Sequence, residues 1–209
     1  MFPDIFRTFV PERLIIMIQK TGKIVNIGLS LLLMCGSVSA QVTVPEPESL
    51  DSYRVLTSDS TFKVLRGSVA CVGGEDGDSV RRISVNSMFW GRVAFEKTPA
   101  GKSGDVKDIR LLARDEDNEG DPRERFCIVR FSNFFWEILG AEWRHFTPAQ
   151  FGSEEFKKSG HINFFGQKYG GRSYLLTIPM SDLKTGCYGI FRVNSVVRDH
   201  IFLGAFSVK

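Results

Sequence analysis

The chain has 209 residues, 43% of them apolar and 24% charged, with a formal net charge of +3 at pH 7. That is enough chain for one domain or two small ones, and its 18 Phe promise a real hydrophobic core. So weak a charge, with no run of five Lys or Arg, gives no argument for a surface built for nucleic acid or anionic lipid.

The first forty residues differ from the rest. Lys20 and Lys23 precede an apolar stretch, Ile24 to Met34, and Val38-Ser39-Ala40 follows. A basic region, a short apolar region and a small-x-small site predict a secretory signal that ends at Ala40. The apolar stretch is too short and interrupted to span a bilayer as a stable helix, so no membrane span is expected after cleavage. Pro3, Asp4, Pro11 and Glu12 fit no signal, which makes Met17 a candidate start. A retained N-terminal anchor is the alternative; a lipid anchor at Cys35 is disfavoured by the bulky Met34 before it.

The mature chain, about 169 residues from Gln41, is nearly neutral. Four of the 27 basic and two of the 24 acidic residues precede it, which leaves 23 and 22. Three cysteines remain, Cys71, Cys127 and Cys187, none in a CxxC or Cys/His cluster. Export permits a disulfide, so buried thiols or a single bridge are expected. Residues 41–52 contain "VTVPEPES" and read as an extended linker before a single domain, 53–209.

Beyond the linker the apolar pattern has period two. Phe89, Gly91, Val93 and Phe95 share one face; Arg125, Cys127, Val129 and Phe131 share another; so do Phe202, Gly204, Phe206 and Val208. Side chains alternate across a strand, so this is half-buried β structure. Turn-rich segments such as "VGGEDGDS", "TPAGKSGD", "RDEDNEGDP" and "GQKYGG" divide it. The expectation is an all-β fold, a Greek-key β-sandwich of about nine strands. The nine segments are 61–71, 80–86, 88–96, 106–113, 124–132, 161–165, 172–178, 187–193 and 200–208, with 53–57 as a weaker tenth. One short helix of some eight to eleven residues is expected within 147–158. Thr147 is its N-cap, Pro148 stands at the first position, Gln150 at the third, and Phe146 and Phe151 form a staple.

The C-terminal stretch "SDLKTGCYGI" lies between two apolar runs. Leu183, Gly186 and Tyr188 in Leu-x-x-Gly-x-Tyr spacing resemble the tyrosine corner of Greek-key β-sandwiches, seen in immunoglobulin-like and fibronectin type III domains. The resemblance implies a crossing between sheets, with the Tyr188 hydroxyl turned back onto upstream backbone. With the last strand, "HIFLGAFSVK", it is also similar to the ends of exported β-sandwich domains of Bacteroidetes-type bacteria. Antibody-type domains carry a Cys two residues after the Tyr, where this chain has Ile190, so Cys187 is not that disulfide cysteine. The corner implies a fold device and no catalytic residue.

Candidate chemistry is sparse. Asp115, Asp117, Glu119 and Asp121, with Gly120 among them, begin like a calcium loop, but the twelfth position is Phe126. They read as a solvated hairpin tip or a weak extracellular Ca2+ site; Glu75, Asp76 and Asp78 form a similar tip. Trp90, Trp136, Trp143 and Tyr169 form the pool for a glycan-stacking platform, against a reading as core. No Gly-x-Ser-x-Gly, phosphate-cradling glycine loop or His-x-x-x-His is present; His145, His161 and His200 are isolated, and Glu137 and Glu142 are an unspecific carboxylate pair. The functional expectation is an exported binding or accessory structural module of the bacterial envelope, periplasmic or at the surface. Its partner would be an envelope protein or a glycan and not nucleic acid. The alternatives are a carbohydrate-binding module or envelope glycan hydrolase, and a small outer-membrane β-barrel.

Overall fold

The computed structural model describes residues 42–65, 67–74, 81–86, 93–97, 108–135, 138–195 and 199–209. The expected signal, Trp90, Trp136, Glu137, the Glu75–Asp78 tip and most of the expected strand 88–96 lie outside them.

Two sheets make the fold. The first has the order β10-β11-β6-β1-β2, where β1 is Tyr53–Leu56, β2 Phe62–Leu65, β6 Ile109–Arg114, β10 Phe165–Tyr169 and β11 Ser173–Ile178. The second has the order β7-β12-β13-β3-β4-β9-β8. It comprises β3 (Gly67–Gly73), β4 (Arg81–Asn86), β7 (Phe126–Arg130), β8 (Asn133–Phe135), β9 (Ile138–Trp143), β12 (Gly186–Arg192) and β13 (His200–Val208). All these pairings are antiparallel; a two-residue β5 (Ala94–Phe95) runs parallel to the end of β13. The expected all-β, two-sheet architecture is present.

The second sheet goes further and closes. β7 and β8 are one stretch of chain. Phe131 N–H still donates to Cys187 O of β12 (3.0 Å), while Ser132 N–H donates to Gly140 O of β9 (3.0 Å). The partners of this stretch therefore change from one end of the sheet to the other within two residues, and the pairing runs in a ring. Six staves result, and a ring has no edge except where strands end. Its inward residues, including Val72, Val85, Val129, Leu139, Phe191 and Leu203, form a continuous apolar core. That filling is the reverse of an outer-membrane barrel, whose lumen is polar.

The outward residues of β7, β12 and β13 meet the first sheet. Phe126, Ile128, Tyr188, Ile190 and Phe206 pack with Tyr53, Leu111, Tyr174 and Leu176 in a second core. Burying each such side chain contributes about 1.5–3 kcal/mol. Gly204 lets the sheets approach: a Cβ there would lie 2.7 Å from the Tyr53 ring.

The expected linker is a docked strap. Val44 is buried with Leu56, Leu112 and Leu175 on the far face of the first sheet. Glu46 accepts from Gly171 N–H (2.8 Å), Arg172 N–H (3.0 Å) and the Ser173 hydroxyl (2.7 Å). Burial alone would raise the Glu46 pKa, but these donors and Arg114 hold it below its ordinary value.

Other expectations shift. The segment 61–71 is two strands in different sheets, because the chain leaves the first sheet after Leu65 and enters the ring at Gly67. Segment 161–165 is not a strand: His161 makes an isolated bridge to Val129, and β10 begins only at Phe165. The aromatic stretch 133–143 supplies β8 and β9. The start of 124–132 is the short helix α1 (Pro122–Arg125), capped by Asp121.

The single helix within 147–158 is two pieces. Thr147 starts a one-turn 3-10 helix, Pro148–Gln150, with the Gln150 amide oxygen accepting from Thr147 N–H (3.0 Å). Gly152 then takes φ +84°, a left-handed conformation that ends the turn. Ser153 caps α2 (Glu154–Lys158) by accepting from Phe156 N–H (3.1 Å). Phe146 and Phe151 both pack on Phe156 (5.2 and 4.6 Å between centroids).

One end of the inter-sheet core is closed by charge. Arg192 on β12 donates to Asp51 (3.2 Å), Asp115 (3.3 Å) and Glu116 (3.0 Å), and Asp115 is fully buried. Burial opposes the guanidinium charge, but these three acceptors outweigh it and raise the Arg192 pKa. Arg192→Met would leave the buried Asp115 with only the longer Arg125 contact (3.7 Å) and should cost about 2–4 kcal/mol in urea unfolding at pH 7. A cost under about 1 kcal/mol would show that the cluster is not a structural tie.

Candidate binding groove

The β11–β12 connection carries the corner. A 3-10 turn, Met180–Asp182, leads to Leu183, which is fully buried. The Tyr188 hydroxyl accepts from Lys184 N–H (2.8 Å) and donates to Lys184 O (2.6 Å). Its ring stacks on Phe206 with centroids 5.3 Å apart. As expected, the chain crosses here from the first sheet to the ring. The hydroxyl satisfies both backbone groups of one turn residue and fixes where Lys184 leaves the surface.

Beside this corner lie two adjoining cavities. The first, about 770 Å³, is lined by α1, Phe151, the start of β10 and Pro179. The second, about 480 Å³, lies between α2, the Gly160–Ile162 segment and the corner itself. Asn163 and Asp182 line both, so the two form one groove.

The first cavity is aromatic and acidic. Phe164 and Phe165 are consecutive at a strand start, so one turns in and one out. Phe164 is buried with the inter-sheet core, and Phe165 is 71% exposed. Arg123 lies over the Phe151 ring at 5.6 Å and binds Asp121 (2.7 Å). The Arg123 guanidinium and N–H hold the Asp121 carboxyl below its ordinary range. Glu119 and Asp182 add two carboxylates without an ion pair among the described residues.

The second cavity is basic. Arg130, Lys157 and Lys184 line it against one carboxylate, Asp182. Arg130 is oriented from beneath: its Nη2 donates to Thr185 O (2.9 Å), and Gly186 leaves room for it, since a Cβ there would lie 3.0 Å from Arg130 Nε. That Nε is buried without a protein acceptor. Lys157 shares its charge with Glu154 (2.9 Å).

Burial holds three titratable side chains, His161, Cys127 and Cys187, toward their neutral forms. His161 is buried between Phe146 and Phe156, with Nε2 donating to Arg144 O (3.1 Å) and Nδ1 beside the Ser159 hydroxyl (2.8 Å). Burial, helped by the Arg144 charge, lowers its pKa to about 4. All three cysteines of the described chain are free thiols. Burial pushes Cys127 up to about 12, and burial also raises Cys187. Cys187 is thus a neutral thiol of the ring interior, not half of a reactive pair with Tyr188.

The expected site residues fall elsewhere. Asp115 binds Arg192, Asp117 receives Arg125 (3.3 Å) and Asp121 caps α1, while Glu119 faces the groove. Among the described residues no group of three or more His, Cys, Asp and Glu is placed to hold a metal ion. Guanidinium groups take up three of the four acidic side chains: Arg125 lies between Asp115 (3.7 Å) and Asp117, and Arg123 holds Asp121. Trp143 packs edge-on against Phe191 at the ring core (6.1 Å), and Tyr169 donates to strap carbonyls of Val42 (3.2 Å) and Val44. These two belong to separate layers and make no common plane. Arg130, Asn163, Phe165 and Lys184 were not expected. The adjacent Phe164-Phe165 pair was the one available signal, since alternation must expose one of two consecutive residues.

Tyr188→Phe should cost about 1 kcal/mol in denaturant melts, and an unchanged midpoint would remove the hydroxyl from the corner's stability. His161 gives a pH signature. Its folded pKa lies below the ordinary value of 6.5, so the unfolded chain binds the proton first. Stability is full above pH ~6.5 and falls on acidification toward pH ~4, by at most about 1.4 kcal/mol per unit. Between pH ~6.5 and ~5, above the carboxylate range, His161→Gln should flatten this slope; equal slopes would refute the assignment. No protein-family model matches the chain, and no curated protein or solved structure matches it either.

Proposed function

We propose that this chain is an exported binding module, whose β scaffold holds the groove beside the tyrosine corner open to a ligand. The observation that carries this reading is the groove itself. Two adjoining cavities are bounded by backbone that the Tyr188 hydroxyl, the Asp121 cap and the Ser153 cap hold in place. Ligand sites are typically concave, largely pre-formed and lined by apolar surface with a few placed polar groups. His161 and Cys127 are buried and held neutral, which suits recognition better than turnover.

Export is supported by the basic-apolar-small pattern before residue 41 and by the compact unit Val42–Lys209, which starts just after it. Two measurements test the proposal. Periplasmic fractionation with N-terminal sequencing should yield a chain that begins at Gln41; a cytosolic chain with its first forty residues intact would refute export. In glycan-array and peptide-array screens, ligands captured by the chain should be lost with Asn163→Trp, which fills the junction of the cavities, at unchanged melting temperature. Capture that survives this substitution would place binding outside the groove.

A further inference from the structure

The groove is electrically polarised along its length. Arg130, Lys157 and Lys184 stand at the corner end, Asp182 stands at the junction, and Glu119 and the Arg123–Asp121 pair stand at the aromatic end. We propose that it takes an acidic oligosaccharide, with a sugar face on Phe165 and a carboxylate or sulfate group among Arg130, Lys157 and Lys184. This rests on the reading of the groove as the binding site and names the ligand class.

Three observations support this assignment. First, Phe165 presents 71% of its surface to solvent at the wall of a cavity that also offers Asn163 and carboxylates. An aromatic face receives the C–H face of a sugar ring, while amide and carboxylate groups receive its hydroxyls. Second, three cations line the corner end against one lining carboxylate, and with Glu154 paired to Lys157 the balance is still positive, so it favours an anionic substituent. Third, that end is pre-oriented. Arg130 is held by its Nη2 bond to Thr185 O, and Lys184 is anchored through both of its backbone groups by Tyr188. A fixed guanidinium binds carboxylate or sulfate with little further ordering.

The test is calorimetric titration of the mature chain at low salt. The probes are trigalacturonate, a heparin-derived tetrasaccharide, neutral galactotriose and hexaglutamate. At least one acidic saccharide should bind about tenfold tighter than galactotriose, and raised salt should weaken it. Lys157→Glu with Lys184→Glu should weaken it about tenfold, and so should Phe165→Ser, with melting temperatures unchanged. Insensitivity to Phe165→Ser, or equal binding of galactotriose, overturns the proposal. If hexaglutamate binds as tightly and Asn163→Trp abolishes it, the ligand is an acidic peptide: this inference fails and the groove reading stands. If neither acidic saccharide binds but galactotriose does, the inference fails in the same way. If no probe binds, the inference fails, and the array screen separately decides the groove.

Discussion

The fold turns on one constraint: the stretch from Phe126 to Phe135 pairs with β12 by its first half and with β9 by its second. A sheet that ends on itself must bury its inner face. It therefore needs small residues where the wall is tight; a Cβ on Gly189 would lie 3.1 Å from the Phe131 ring. Closure leaves β7, β12 and β13 with apolar residues on both faces, and the first sheet covers the outward set. Removing the ring closure would expose two strand edges and uncouple both cores.

The connections do the remaining work. Because β11 belongs to one sheet and β12 to the other, the chain must cross the core edge between them, and Leu183 and Tyr188 fill that crossing. The same crossing throws Asp182 and Lys184 outward beside α2. On the opposite flank, Pro122 of α1 rests on Gly166 so closely that a Cβ there would lie 2.3 Å from it. The groove is the gap left between these two pieces of packing. Its shape therefore follows from the core, and its charges come from surface side chains whose identity the core does not dictate.

Charge is used differently inside and outside. Arg192 draws Asp51, Asp115 and Glu116 to the rim of the inter-sheet core, where a lone carboxylate would be costly. An acidic run that resembles an ion-binding loop in one dimension is thus divided between a buried tie, a helix cap and the groove wall. Glu46 plays a comparable part for the strap, which explains why a Pro- and Glu-rich segment packs instead of hanging free.

The sequence by itself determined the all-β class, the positions of β1, β4, β6, β11, β12 and β13 to within a few residues, and the corner. Each of these rests on local periodicity or on a short motif whose hydrogen bonds span four residues, such as Tyr188 to Lys184. Only the tertiary structure decided that β2 and β3 part company, that 126–135 closes a ring, and that Arg130, Asn163, Phe165 and Lys184 share one groove. Those are pairings between distant segments. Period-two alternation says which face a residue takes but not which strand lies beside it, and an exposed charge leaves no periodic trace at all.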